Sequence, residues 1–177
     1  VVSGNPWTTS FTEDSFGNIW IGTYRNGTFC FHKNQTPFQK SMSGKNIECM
    51  STDHSGNYWI GSLNGEVCVL DSTQKQIMGK TIFPNDMIHT ICGQESSNKV
   101  WVGTMYGLYE AWIESNKQIV YQKTSGINIP SIRSIVQDSC FLWIASYNNG
   151  VTLYNYSTQQ SVVTYKTDSE VLPLPSN

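Results

Sequence analysis

Apolar positions along this chain come in short bursts, and clusters of Gly, Asn, Asp or Ser close each one. Bursts of this kind read as β-strands, because a helix needs apolar positions recurring at i, i+3, i+4 and i+7 over several turns. The clearest bursts are "IWIGT", "YWIGS", "VWVGT" and "LWIAS", in which apolar residues follow one another without polar alternation. A strand of that composition has both faces covered.

These four bursts sit in one recurring phrase: "DSFGNIWIGT" from Asp14, "DHSGNYWIGS" from Asp53, "ESSNKVWVGT" from Glu95 and "DSCFLWIAS" from Asp138. Their tryptophans, Trp20, Trp59, Trp101 and Trp143, are separated by 39, 42 and 42 residues. A period near 42 with strand patterning predicts four-stranded propeller blades. A first strand precedes each acid ("TSFTED", "ECMSTD", "HTICGQE", "RSIVQD"), and the tryptophan burst is the second. A Gly-bearing loop ("YRNG", "LNG", "MYG", "YNNG") leads to a third strand, "TFCF", "EVCV", "LYEA" or "VTLY". The fourth strand is plain in "QIVYQKT" and "SVVTYKT", less so in "KQIMGKTIF" and "PFQKSM". The repeats then run over residues 7–45, 46–86, 87–130 and 131–177.

Local chemistry fits this division. Asp-x-x-Gly suits a type I turn, with Asp at the first position and Gly at the fourth. Asp14, Asp53, Glu95 and Asp138 therefore read as one turn-forming acid per repeat, although "DSCFLW" lacks the glycine and needs another turn. The column Gly22, Gly61, Gly103 and Ala145 predicts close approach of a neighbouring backbone or bulky ring. The in-phase tryptophans are expected to fill the space between adjacent blades.

Composition narrows the function. The chain has 177 residues, 14 glycines, two alanines and seven leucines, which favours strands and turns. Its net charge of −2 excludes an electrostatic footprint for nucleic acid or anionic lipid, and no apolar run is long enough to span a bilayer. Five cysteines without CxxC-type spacing read as mostly buried thiols rather than a disulfide framework. The histidines His32, His54 and His89 occupy non-equivalent places in the repeats and do not converge on a base. No nucleophile elbow, zinc, phosphate-loop or dinucleotide motif occurs. No catalytic residue, metal or cofactor is assigned.

The phrase "IPSIRSIVQD", followed in the better copies by "GNIWIGT", "NG" and an aromatic strand, resembles the two-component regulator propeller repeat. The resemblance extends over four consecutive repeats. It implies an all-β chain of β-propeller blades, part of a larger propeller. It also implies a non-catalytic sensor region of a bacterial two-component regulator, of the kind often joined to a histidine kinase. Such a region would lie in the periplasmic or extracellular portion of an inner-membrane-anchored protein and detect oligosaccharides.

Four blades are expected to be an arc of a larger ring, a small closed ring, or half of a ring completed by a second chain. An exposed blade face would be a large apolar patch, which favours self-association or further blades of the parent propeller as partners. The phrase "LPSN" at residues 174–177 would introduce another first strand. In an up-and-down blade the second-to-third loops share one rim with the fourth-to-first connections. On that rim Trp7, Tyr24, Arg25, Asn26, Tyr106, Tyr147 and Asn148 are the predicted ligand contacts. Aromatic rings cover the CH face of a sugar while amide and guanidinium groups bond its hydroxyls. Two other readings stand beside this one: a dimerisation scaffold without a small ligand, and a propeller lyase with its acids in the channel.

Overall fold

The computed structural model describes residues 7–32, 39–41, 44–71, 73, 75–81, 83 and 85–166, without the side chains of 39–41 and 77–81. The "LPSN" phrase lies outside them. The described strands form four antiparallel sheets, each an up-and-down meander in chain order. Blade 1 is β1 (Thr8–Glu13), β2 (Ile19–Thr23), β3 (Gly27–Phe31) and β4 (Gln39–Ser41). Blade 2 is β5 (Ile47–Thr52), β6 (Tyr58–Ser62), β7 (Glu66–Leu70) and β8 (Gln76–Thr81). Blade 3 is β9 (Ile88–Gly93), β10 (Lys99–Thr104), β11 (Leu108–Ile113) and β12 (Ile119–Lys123). Blade 4 is β13 (Ile132–Asp138), β14 (Phe141–Ser146), β15 (Gly150–Asn155) and β16 (Gln160–Tyr165). The chain is all-β, built of propeller blades.

Blades meet through their first strands: β1 packs on β5, β5 on β9 and β9 on β13. Those strands line the inner edge of the arc. The core is divided among the three junctions. Trp20, Cys30, Ile47, Met50, Tyr58 and Ile60 fill the first. Trp59, Val67, Val69, Ile88, Ile91 and Val100 belong to the second, and Trp101, Leu108, Ile132, Leu142, Ile144 and Tyr154 to the third. Each four-stranded sheet is too thin to hide two apolar faces alone, so stacking supplies the burial that folding requires.

The repeated acid has a larger role than turn formation. Asp14 Oδ1 accepts the backbone N–H of Phe16 and of Asn18, while Oδ2 accepts from Asn18 Nδ2 and Trp20 Nε1. Tyr58, from the next blade, donates its hydroxyl to the same Oδ2 at 2.6 Å. Its ring lies 4.2 Å from that of Trp20. Asp53 likewise accepts from Asn57 and, at 2.9 Å, from Trp59 Nε1. Gly17 and Gly56 close these turns at φ 77° and 78°, where a side chain would be strained. Burial alone pushes the Asp14 carboxyl up, but the bonds from Tyr58, Asn18 and Trp20 together overcome it and hold its pKa at about 2.

Copies three and four depart from this plan. The third turn is one residue longer, with Gln94 N–H donating to the Lys99 carbonyl, so Gln94 rather than Glu95 takes the place of Asp14. Trp101 Nε1 is buried without an acceptor among the described residues. In the fourth copy the hairpin closes through Ser139 and Cys140, with Ser139 at φ 53°. Asp138 pairs with Phe141 at the strand end and is exposed, so it does not perform the task of Asp14.

Two further expectations need correction. The glycine column is crowded neither by backbone nor by a ring. A Cβ on Gly22, Gly61 or Gly103 would fall 2.8, 2.7 or 2.5 Å from the γ-methyl of Ile47, Ile88 or Ile132. Each isoleucine opens the first strand of the following blade. Trp20, Trp59 and Trp101 are buried at these junctions, but Trp143 is 37% exposed. It points to the far side of blade 4, where no described strand covers it, and stacks on Tyr165 of its own blade at 6.2 Å.

Candidate functional site

The second-to-third loops form a rim by one repeated bond. The first loop residue donates its backbone N–H to the carbonyl just before the blade's first strand: Tyr24 to Trp7, Leu63 to Asn46, Met105 to Met87 and Tyr147 to Ser131. The repeated geometry brings Trp7 beside Tyr24, with ring centroids 6.1 Å apart and planes inclined by 26°. The Arg25 guanidinium lies 5.1 Å over the Tyr24 ring. Trp7, Tyr24, Arg25 and Asn26 line an open cavity of about 400 Å³. Trp7 is 74% exposed. Arg25 adopts φ 72°, a conformation costly for a side chain with a Cβ and concentrated at binding sites. Four of the predicted contacts thus stand together.

The others do not join them. Tyr106 is exposed on the loop of blade 3, and Tyr147 with Asn148 on the loop of blade 4. On blades 3 and 4 the rim also exposes the apolar side chains of Met87, Met105, Tyr106 and Tyr147. Trp112 is half-buried on β11 with the Lys99 ammonium 4.9 Å from its ring, and it serves packing there.

Sequence reasoning missed a set of residues just inside this rim. Every first strand carries a register shift against its second strand at the same place, between Thr8 and Ser10, Ile47 and Cys49, Ile88 and Thr90, and Ile132 and Ser134. The skipped residues are Thr9, Glu48, His89 and Arg133. A bulge leaves its residue out of the ladder and re-aims the side chain. Thr9, Glu48 and His89 each reach the following blade, and Glu48, His89 and Arg133 meet one another. Thr9 donates its hydroxyl to the Ile47 carbonyl at 2.6 Å. Arg133 donates to His89 Nδ1 at 3.1 Å, and Glu48 Oε1 approaches the same nitrogen at 3.9 Å. The signal was available: each skipped residue follows the position that opens the first strand, isoleucine in three copies and threonine in one.

Because guanidinium only donates, His89 Nδ1 is the unprotonated nitrogen. Burial, and then the Arg133 charge, hold the His89 pKa below its ordinary value, against a smaller pull upward from Asp86. The Glu48 approach is therefore a contact with a neutral ring rather than an ion pair. Burial pushes the Glu48 carboxyl up, partly offset by Arg133. The cysteines are thiols; burial lifts Cys30 and Cys68 to about 11, which leaves them unreactive as thiolates near neutrality. Among the described residues, no group of three His, Cys, Asp or Glu side chains is arranged to hold a metal ion. Nor, among those residues, is any helix long and apolar enough to cross a membrane.

Comparison with known proteins bears on this arrangement. The extracellular domain of BT3049, assigned as a hybrid two component system of B. thetaiotaomicron, superposes with a TM-score of 0.72 at 24% identity; the match covers 93% of this chain and 23% of that one. The extracellular domain of BT4673, assigned as a one component system of the same organism, gives 0.70 at 21% identity over 97% of this chain and 23% of its own. The β-propeller domain of Cps50 (Swd1) from Myceliophteria thermophila gives 0.66 at 10% identity over 86% and 56%. These likenesses establish the propeller fold, and the chain spans about a quarter of the two B. thetaiotaomicron domains. No curated protein matches the chain. At the level of sequence, residues 2–25 match the family described as two component regulator propeller, the same family that the repeats resemble.

Proposed function

We propose that this chain is a non-catalytic, ligand-recognising segment of the sensor propeller of a bacterial two-component regulator, working outside the inner membrane. The observation that carries the reading is the Trp7, Tyr24 and Arg25 stack around an open cavity on the loop rim. An exposed aromatic plane beside fixed polar donors suits an oligosaccharide, whose ring has an apolar CH face and a hydroxyl edge. The repeated acids support the absence of catalysis here, since Asp14 and Asp53 are engaged by indole N–H groups and turn amides. Binding would signal only if the ligand prefers one arrangement of blades or subunits over another.

Calorimetry of the full-length protein against a panel of neutral oligosaccharides tests this. At least one should bind, and Trp7→Ala should weaken it by about tenfold or more. A second reading, a scaffold with no small ligand, is favoured by one observation, the bare face around Trp143 and Val136 on blade 4. Absence of heat with every sugar, together with a stable dimer by light scattering, would replace the sensor reading with the scaffold.

A further inference from the structure

The bulge column has an open end. Thr9, Glu48 and His89 are each engaged with the following blade, but Arg133 stands in the last one. Its guanidinium is held at two points. One nitrogen donates to the buried His89 imidazole, and the Tyr147 ring lies 5.4 Å from its carbon. Among the described residues, no carboxylate forms an ion pair with it; the nearest charge of that sign is Glu48, whose Oε1 lies 3.9 Å from the same His89 nitrogen. Arg133 is itself exposed. A guanidinium offers five N–H donors in a rigid fork, and one bond to a ring nitrogen leaves most of them unused. Tyr147, with one face toward the arginine, is 73% exposed and keeps its other face for a ligand. A bulge that costs a ladder pairing, a buried histidine that orients an arginine, and an exposed aromatic beside it make a built arrangement rather than a stray surface charge.

We propose that Arg133 and Tyr147 form a carboxylate-binding subsite at the inner edge of the rim, through which the protein selects acidic saccharides. The fork accepts a carboxylate in bidentate geometry, and the tyrosine ring carries the CH face of the sugar that bears it. His89 is a positioning residue: its Nδ1 fixes the guanidinium and touches no ligand. This inference rests on the saccharide-sensor reading and deepens it by naming the substituent that is read.

The test compares galacturonic and glucuronic acid oligomers with galactose and glucose oligomers of the same length, by calorimetry on the full-length protein. The acidic member should bind about tenfold more tightly or better. Arg133→Gln should abolish that preference, so that acidic and neutral oligomers bind the variant alike. Arg133→Lys should recover only part of it, because a point charge replaces a planar fork. Free sulfate at matched ionic strength should compete weakly, which separates carboxylate readout from general anion attraction. If neutral and acidic oligomers bind alike, the subsite is refuted and the sensor reading stands. If no saccharide of either kind binds, both fall. Should Arg133→Gln lower the melting temperature with the acidic preference intact, the arginine serves a carboxylate of the protein itself, and the inference is overturned.

Discussion

The junction between blades 1 and 2 and the outer face of blade 4 are built from copies of one four-stranded repeat, yet they differ at three places. At the junction, Asp14 holds Trp20 and receives Tyr58 from the next sheet, and Gly22 admits the Ile47 γ-methyl. On blade 4 the acid is displaced to an exposed strand end, the glycine is Ala145, and Trp143 is open to solvent. The difference shows what the repeated phrase is for. "D..GN.W.G" is a docking device: the acid orients the indole, the indole fills the gap, and the glycine makes room for the isoleucine that follows. Where no described strand covers the face, the device is relaxed in all its parts together.

The sharpest way to break this comparison is to remove a tryptophan from each setting. Trp59 is fully buried between blades 2 and 3, so Trp59→Ala should cost about 3–5 kcal/mol. Trp143→Ala on the same chain should cost about 1–2 kcal/mol, because much of its surface is wet before the change. Urea unfolding of the two variants side by side gives the ratio. Equal losses would mean that the face of blade 4 is covered in solution, which light scattering would then attribute to a second copy.

The glycine column offers a smaller and more local contrast. Gly61→Ala places a methyl 2.7 Å from Ile88 and 2.8 Å from the Cys49 sulfur, both buried, so it should cost about 1–3 kcal/mol. Ala145→Gly loses only one methyl and some chain stiffness, about 1 kcal/mol or less. A thermal melt in which Ala145→Gly is the worse of the two would contradict the assignment of that column to the receipt of an isoleucine.

How far the sequence foretold this follows from what each feature needs. The strands were legible because tryptophan, the apolar run and the turn residues all recur in phase, and each is a local preference. The partner of the glycine column was not, because Ile47, Ile88 and Ile132 belong to the next repeat and the contact exists only once blades stack. Asp14 announced its turn but not its bond to Trp20, since a carboxylate six residues before an indole has no propensity signature. The rim residues were found by topology, which fixed the edge they share. Their grouping was not, because Trp7 and Tyr24 meet through a backbone bond at the strand mouth, while Tyr106 and Tyr147 are held two and three blades further along. The bulge residues Glu48, His89 and Arg133 escaped because they share a position and no chemistry, and a column is read from sequence by identity.

Acid titration of Tyr58→Phe refines the first comparison most finely. The phenol donates to Asp14 at 2.6 Å, and phenylalanine keeps the ring packing on Trp20 while deleting only that donor. Asp14 retains Asn18 and Trp20, so the loss near neutral pH should be about 1.5 kcal/mol, as for one hydrogen bond to a charged group. The sign of the pH effect follows from the direction of the shift. The folded pKa, about 2, lies below the ordinary value of 3.8. Asp14 therefore contributes stability that is fully present above pH 4 and is lost as pH falls toward 2, roughly 2 kcal/mol in all. Removing the phenol raises the folded pKa toward the ordinary value, so the variant should lose less stability than the parent between pH 4 and pH 2. Asp14→Asn should flatten that limb further. Stability curves at pH 7, 4 and 2.5 suffice to see it, and parallel acid limbs in parent and variant would show that the cross-blade bond does not govern the ionisation of Asp14.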